Sequence, residues 1–192
     1  MSSDVSVLVV DDERDVADSY VDALDDEYEV RVAYSGEAAL EETDDSVEVV
    51  LLDRRMPRLS GDEVLAEIER RDVDCRVVMV TAVEPDLDIV EMQFDEYLVK
   101  PVTGDQLQNV VERMLARQAL DEQVQRTFVL ASRLATLESK LSYDQLETSE
   151  EYTALREEFA ELRDGADLPE ARDDPYLEAA LEKIEALLHE QT

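Results

Sequence analysis

Three short runs in the first half of the chain are apolar without alternation: Val7-Leu8-Val9-Val10, Val49-Val50-Leu51-Leu52 and Val77-Val78-Met79-Val80. Strands covered on both faces read this way, because neither side of the pleat meets water. Tyr28-Glu29-Val30-Arg31-Val32 alternates instead, which predicts an edge strand, and a fifth strand is expected from Glu96 to Lys100. Between these runs the apolar positions recur at helical spacing, predicting helices at about residues 13–26, 36–44, 60–71, 85–93 and from 104 onward. Strands that alternate with helices form βα units around a mainly parallel sheet, so an α/β domain is expected over residues 4–118.

Beyond residue 118 the strand pattern does not return. Val110, Val111, Met114 and Leu115 are followed at helical spacing by Val124, Phe128, Ala131, Leu134, Leu137 and Leu141, with no Pro or Gly between residues 105 and 164. One long helix or two abutting helices fit this stretch. Ser142-Tyr-Asp-Gln145 and Thr148-Ser-Glu-Glu151 both have capping-box spacing, which predicts a break and restart, and Tyr152, Leu155, Phe159 and Leu162 form the next stripe. Gly165, Pro169 and Pro175 mark a loop before Leu177, Leu181, Ile184 and Leu188. Residues 119–192 therefore read as an all-α unit, three helices in an antiparallel hairpin or small bundle. Each stripe is narrow, so the helices need one another or a partner chain.

Composition adds a solvent condition. The chain carries 51 acids against 18 bases, a net charge of −33, and lysine occurs only at Lys100, Lys140 and Lys183. Such self-repulsion is tolerable in concentrated salt, where the Debye length falls to roughly 3 Å at 1 M, and a halophilic host is inferred. Cys75 is the only cysteine, which rules out an internal disulfide and a cysteine zinc cluster. The first residues lack the basic start and apolar stretch of a signal peptide, and no apolar run approaches a membrane span, so a soluble, cytoplasmic protein is expected.

The candidate chemistry lies at strand ends. Asp11 and Asp12 follow the first strand, Asp53 the third, Thr81 closes the fourth and Lys100 the fifth, the edge at which a parallel sheet places its ligand site. Three converging carboxylates repel by roughly several kcal/mol at an intermediate dielectric. A hard divalent cation, Mg2+ above all, relieves that repulsion with oxygen ligands and can bridge carboxylate to phosphate. A carboxylate nucleophile, a metal, an ammonium and a hydroxyl are together the parts that stabilise a phosphoryl group in transfer. Each taken singly has a plainer reading, Asp11-Asp12 as a helix cap and Asp53 as a turn residue; it is their joint occurrence that favours the pocket.

At these residues the chain resembles the receiver domain of two-component response regulators. The resemblance implies a flavodoxin-like doubly wound five-stranded parallel sheet in the order 2-1-3-4-5. It also implies phosphorylation of Asp53, Mg2+ held by Asp11, Asp12, Asp53 and the backbone carbonyl of Arg55, catalytic assistance from Lys100 and Thr81, and a switch made of Thr81 and Tyr97. Asp53-Arg54-Arg55-Met56-Pro57 reads like the family's loop after the phosphorylated aspartate, Gly61 permits the turn into the third helix, and Lys100-Pro101 matches the lysine whose following bond is usually cis. The implied partner is a sensor histidine kinase. Departures occur at Met92-Gln93-Phe94-Asp95 and Val83-Glu84-Pro85, on the family's output surface. From about residue 119 the chain resembles the HalX domain of halophilic archaea, in Leu130-Ala-Ser-Arg-Leu-Ala-Thr-Leu-Glu138 and Ser149-Glu-Glu-Tyr152.

The expected function is therefore a phosphorylation-controlled response regulator, without turnover of an external substrate, whose helical unit changes conformation or assembly. A homodimer through either unit and a downstream protein partner fit this reading. Two alternatives use the same site: a transcriptional regulator whose tail binds DNA, and a stand-alone phosphorelay carrier. Residues 120–192 hold 7 bases and 19 acids, a net charge of −12, and show no helix-turn-helix or basic face, which disfavours DNA contact. A phosphohydrolase with an aspartate nucleophile is disfavoured too, because that class repeats the aspartate two residues on, where this chain has Arg55. Lone His189 is expected near an exposed helix end, with no role in phosphotransfer.

Overall fold

The computed structural model describes residues 5–118 and 122–165. They fall into two compact units: one of residues 5–84 with 92–118, the other of Pro85–Glu91 with residues 122–165.

In the first unit five strands form a single parallel sheet: β1 (Ser6–Val10), β2 (Glu29–Ala33), β3 (Val47–Leu52), β4 (Arg76–Thr81) and β5 (Glu96–Val99). Their order is β2-β1-β3-β4-β5, with the alternating strand at one edge as expected. The helices are α1 (Arg14–Leu24), α2 (Gly36–Glu42), α3 (Gly61–Arg71) and α4 (Gly104–Gln118). Val7, Val9, Val49, Leu51, Val78 and Val80 point to one face and pack with Leu24 of α1 and with Leu107, Val110 and Met114 of α4. The intervening residues Leu8, Val10, Val50, Leu52, Val77 and Met79 are buried too, so the unbroken apolar runs do mark strands covered on both sides. Burying a side chain such as Leu51 contributes about 1.5–3 kcal/mol, and the central strands contain little else.

Local signals set the helix ends. Ser60 and Glu63 form a reciprocal capping box on α3, while Ser35 caps α2 by accepting from the Ala38 N–H. Asp72 ends α3 in the left-handed conformation, with φ of 57°.

In the second unit α5 (Glu122–Lys140), the short α6 (Tyr143–Glu147) and α7 (Glu150–Gly165) follow one another. Tyr152 donates to Glu138 at 2.5 Å and Arg126 pairs with Glu158 at 2.5 Å, contacts that advance along α7 as they retreat along α5, so the two helices run antiparallel. Leu130, Leu134, Leu137, Leu155 and Phe159 are buried in this unit. The expected box at Ser142 and Gln145 is present. The second one is shifted by a residue: Ser149, not Thr148, receives the Tyr152 N–H, because Thr148 is taken up as the cap that ends α6. The junction at residues 119–121 and the third predicted tail helix, with its loop, lie outside the described residues.

One expected helix is largely replaced. Residues 85–93 were expected to be α-helical; only Leu87–Glu91 is helical, as a 3-10 turn. Pro85 removes one backbone donor, and Ile89 and Val90 are β-branched and buried, so packing decides the local conformation. Among the described residues no helix is long and apolar enough to cross a membrane.

Candidate functional site

The parallel ladder itself carries the candidate residues to one edge of the sheet. Beyond the strand ends, the Asp11 N–H donates to the Ala33 carbonyl at 3.1 Å, Asp53 to Val10 at 2.9 Å and Lys100 to Thr81 at 2.9 Å. Each residue is thus fixed by the neighbouring strand before its side chain makes any contact.

The side chains of Asp11, Asp12 and Asp53 converge, with ligand oxygens all within 4.8 Å of one another. Asp11 and Asp53 are buried and Asp12 is half-buried. The Lys100 ammonium donates to Asp11 Oδ2 at 2.5 Å and stands 3.7 Å from Asp53 Oδ2. The fully buried Thr81 hydroxyl acts on the Asp53 carboxylate and favours its charged form. Asp11 Oδ1 also accepts from the Glu13 N–H at 2.9 Å, which holds it at the entrance to α1.

These surroundings set the charge balance. Burial pushes the Asp53 carboxyl above its usual range, with Asp11 adding to the effect while Thr81 and Lys100 oppose it. For Lys100 burial acts downward, but the bond to Asp11 and the charge of Asp53 outweigh it and hold the ammonium above its ordinary value. Three carboxylates facing one ammonium leave an excess of negative charge, and the donor set is entirely oxygen. Those are the terms on which a hard divalent cation binds, and Asp11, Asp12 and Asp53 are the residues that could hold it.

The remaining predicted residues lie around this cluster. Arg55 has an exposed side chain in the loop after β3. Tyr97 is buried, edge-on to Phe94 with centroids 5.6 Å apart, and its hydroxyl donates to the Val83 carbonyl at 2.8 Å. The Lys100–Pro101 bond is cis.

One support escaped the sequence reading, and a second serves for another reason than the one expected. Arg54 is buried and forms a fork on Asp62, with Nε 2.9 Å from Oδ1 and Nη2 3.1 Å from Oδ2, tying the loop after Asp53 to α3. Their eight-residue separation crosses a loop, so no periodic pattern links them. Gly61 is the other. It was expected to permit a turn, yet no glycine here has positive φ; a Cβ at Gly61 would lie 2.2 Å from the Asp53 carbonyl oxygen, and its N–H donates to the Arg54 carbonyl at 2.8 Å. Close approach is the constraint, not torsion.

Residues 7–112 match the response regulator receiver domain. The chain belongs to that family. Behind the receiver, residues 116–188 match the HalX domain. A putative transcriptional regulator of Haloferax volcanii is 49% identical over 158 residues, 82% of this chain and 27% of that protein. The transcriptional regulatory protein CpxR of Klebsiella pneumoniae is 38% identical over 125 residues, 63% of this chain and 53% of CpxR. The chain thus spans about a quarter of the first relative and about half of the second. Among solved structures, response regulator TrrA of Thermotoga maritima, in complex with Mg2+ and BeF, superposes with a TM-score of 0.50 at 32% identity, covering 57% of this chain and 98% of that one. The receiver is therefore the α/β unit that the strand pattern predicts, in the flavodoxin-like order that the resemblance implies, followed by an α-helical unit.

Proposed function

We propose that this response regulator accepts a phosphoryl group on Asp53 from the phosphohistidine of a sensor histidine kinase, and that its helical unit carries the response. The observation that supports the reading is the buried cluster of Asp11, Asp12 and Asp53 with Lys100 and the Thr81 hydroxyl on Asp53. An Asp53 oxygen attacks phosphorus as the bond from phosphorus to the imidazole nitrogen breaks; the nitrogen keeps the electron pair. Lys100 and Thr81 meet the negative charge that gathers on the phosphoryl oxygens. Mg2+, held by Asp11, Asp12, Asp53 and the Arg55 carbonyl, would neutralise carboxylate and phosphoryl charge together. The receiver promotes its own phosphorylation and turns over no external substrate. It works in the cytoplasm.

The Thr81 hydroxyl and Tyr97 form the switch, because a phosphoryl group gives Thr81 a new acceptor. A modification shifts a two-state element only by its differential interaction with the two states, and here that interaction is the Thr81 bond. The response is a changed conformation or assembly of the helical unit, including a homodimer through receiver or tail, read by a downstream protein. Acetyl phosphate with Mg2+ should phosphorylate the wild type and leave Asp53→Asn unlabelled; label on the variant would refute the assignment. Light scattering in molar KCl with Mg2+, before and after beryllofluoride, then reports assembly.

The names of the two relatives favour a second reading, transcriptional control through direct DNA contact. The described tail offers little for it: Arg126 pairs with Glu158, Arg133 is buried and Arg156 lies over the Tyr152 ring at 5.9 Å. Saturable, sequence-selective binding of labelled DNA at high salt would establish it over the first.

A further inference from the structure

Arg54 stands between the phosphoacceptor Asp53 and Arg55, whose carbonyl joins the Mg2+ site in the reading above, so its peptide groups link the two. The first two residues of α3 hold it. Gly61 takes the backbone: its N–H donates to the Arg54 carbonyl at 2.8 Å, and a Cβ there would lie 2.8 Å from the Arg54 Cα. Asp62 takes the side chain, with Arg54 Nε 2.9 Å from Oδ1 and Nη2 3.1 Å from Oδ2. Two parallel bonds fix orientation as well as distance. The Arg54 side chain is only 9% exposed, whereas the ion pair of Arg58 with Glu37 at the same loop, 3.4 Å apart, is 75% and 45% exposed and holds little. The helix that does the holding is itself fixed, by the Ser60–Glu63 box and by buried Val64, Leu65 and Ile68. The Arg54 N–H in turn favours the charged form of the Asp53 carboxylate.

We propose that Arg54 and Asp62 are positioning residues for the reaction at Asp53: their fork locks the Arg54 peptide onto α3, and so sets where the Asp53 carboxylate and the Arg55 carbonyl stand. The affinity of the pocket for Mg2+ and its rate of phosphorylation both follow from that placement. This rests on the phosphorylation reading above. Contacts that orient metal ligands from behind carry effects of this size, and loss of one costs about 10- to 100-fold in metal affinity.

Calorimetric titration of Mg2+ into the full chain in molar KCl tests it, with the rate of labelling by acetyl phosphate at saturating Mg2+ as the second readout. Arg54→Lys keeps the charge but cannot make the fork. Asp62→Leu removes the fork from its more exposed side, 43% against 9%, and leaves the buried face of α3 intact. Each substitution weakens Mg2+ binding by about 10-fold or more and, once Mg2+ saturates, slows labelling by about 10-fold or more. Combined, they weaken it no further than either alone, because both remove one interaction. Glu37→Gln, which removes an equal charge and the exposed Arg58 pair, leaves both readouts within about 2-fold. A fork that only stabilised the fold would lower the melting midpoints of the variants and leave their Mg2+ affinity at the wild-type value. That result, or losses that multiply in the double variant, would overturn the positioning role, while wild-type labelling confined to Asp53 upheld the phosphorylation reading. Equal labelling of the wild type and Asp53→Asn would sink both.

Discussion

Replacing Gly61 by Ala tests whether the backbone around Asp53 must sit where the structure shows it. The new methyl would meet the Asp53 carbonyl oxygen at 2.2 Å and the Arg54 Cα at 2.8 Å, both backbone atoms that cannot swing aside. An ordinary contact is about 3.4 Å, so the loop after β3 and the first turn of α3 must separate by roughly 1.2 Å. That movement strains the Gly61 to Arg54 hydrogen bond of 2.8 Å and the Arg54 fork on Asp62. Overpacking of this size costs about 1–3 kcal/mol. A 1 Å displacement of a reacting group costs up to about 100-fold in rate. Urea unfolding should show the loss of stability, and the initial rate of labelling by acetyl phosphate with Mg2+ should fall by about 10- to 100-fold. Gly104→Ala is the control, since its Cβ meets only the Ala23 methyl at 3.2 Å. Wild-type stability and labelling in Gly61→Ala would refute the close-approach argument.

Lys100→Met strands the buried Asp11 carboxylate beside Asp53 and should cost about 3–5 kcal/mol without divalent cation, a deficit that Mg2+ narrows in thermal melts. The Asp53 carboxyl lies above its unfolded value, so its contribution favours folding while it is protonated and is lost as pH rises through that raised value; Asp53→Asn should therefore be more stable than wild type at neutral pH without Mg2+, and a lower unfolding midpoint would contradict this. Desolvation pushes the thiol of half-buried Cys75 up to about 12, so iodoacetamide at pH 8 should label it far faster after urea unfolding, and equally rapid labelling of the folded protein would count against the raised value. Tyr152→Phe removes the hydroxyl from Glu138 and should cost about 1–2 kcal/mol in urea unfolding at high salt, where an unchanged midpoint would show that water replaces the bond.

What the sequence reveals here follows from where each constraint is written. The strands were legible because burial on both faces forces uninterrupted apolar runs, as in β1, β3 and β4, and their carboxyl ends mark where Asp11, Asp53 and Thr81 must lie. The capping box at Ser60 was equally local. Four features depend instead on which of several locally allowed contacts the folded chain makes. Leu87, Ile89 and Val90 suit a helix or a compact turn equally well, and only packing with α5 and α7 selects the turn. The Arg54–Asp62 fork and the tight fit of Gly61 exist only once the loop after β3 has met α3. Ser149 becomes the cap of α7 because Thr148 is already used by α6.

The charge distribution constrains how a phosphodonor can reach Asp53. Several arginines are committed inside the chain: Arg54 to Asp62, Arg76 to Asp95, Arg113 to Glu96 and Arg31 to Asp44. With these cations paired, the net charge of −33 is expressed largely by exposed carboxylates. In dilute salt such a field draws divalent cations toward the acidic pocket and repels anionic phosphodonors and nucleic acid alike. At roughly 1 M salt the Debye length of about 3 Å removes both effects beyond direct contact. A kinase working in that solvent gains nothing from long-range attraction, so its recognition of the receiver must come from groups in direct contact, and the phosphorylation rate of the docked pair should depend far less on salt than labelling by free acetyl phosphate does.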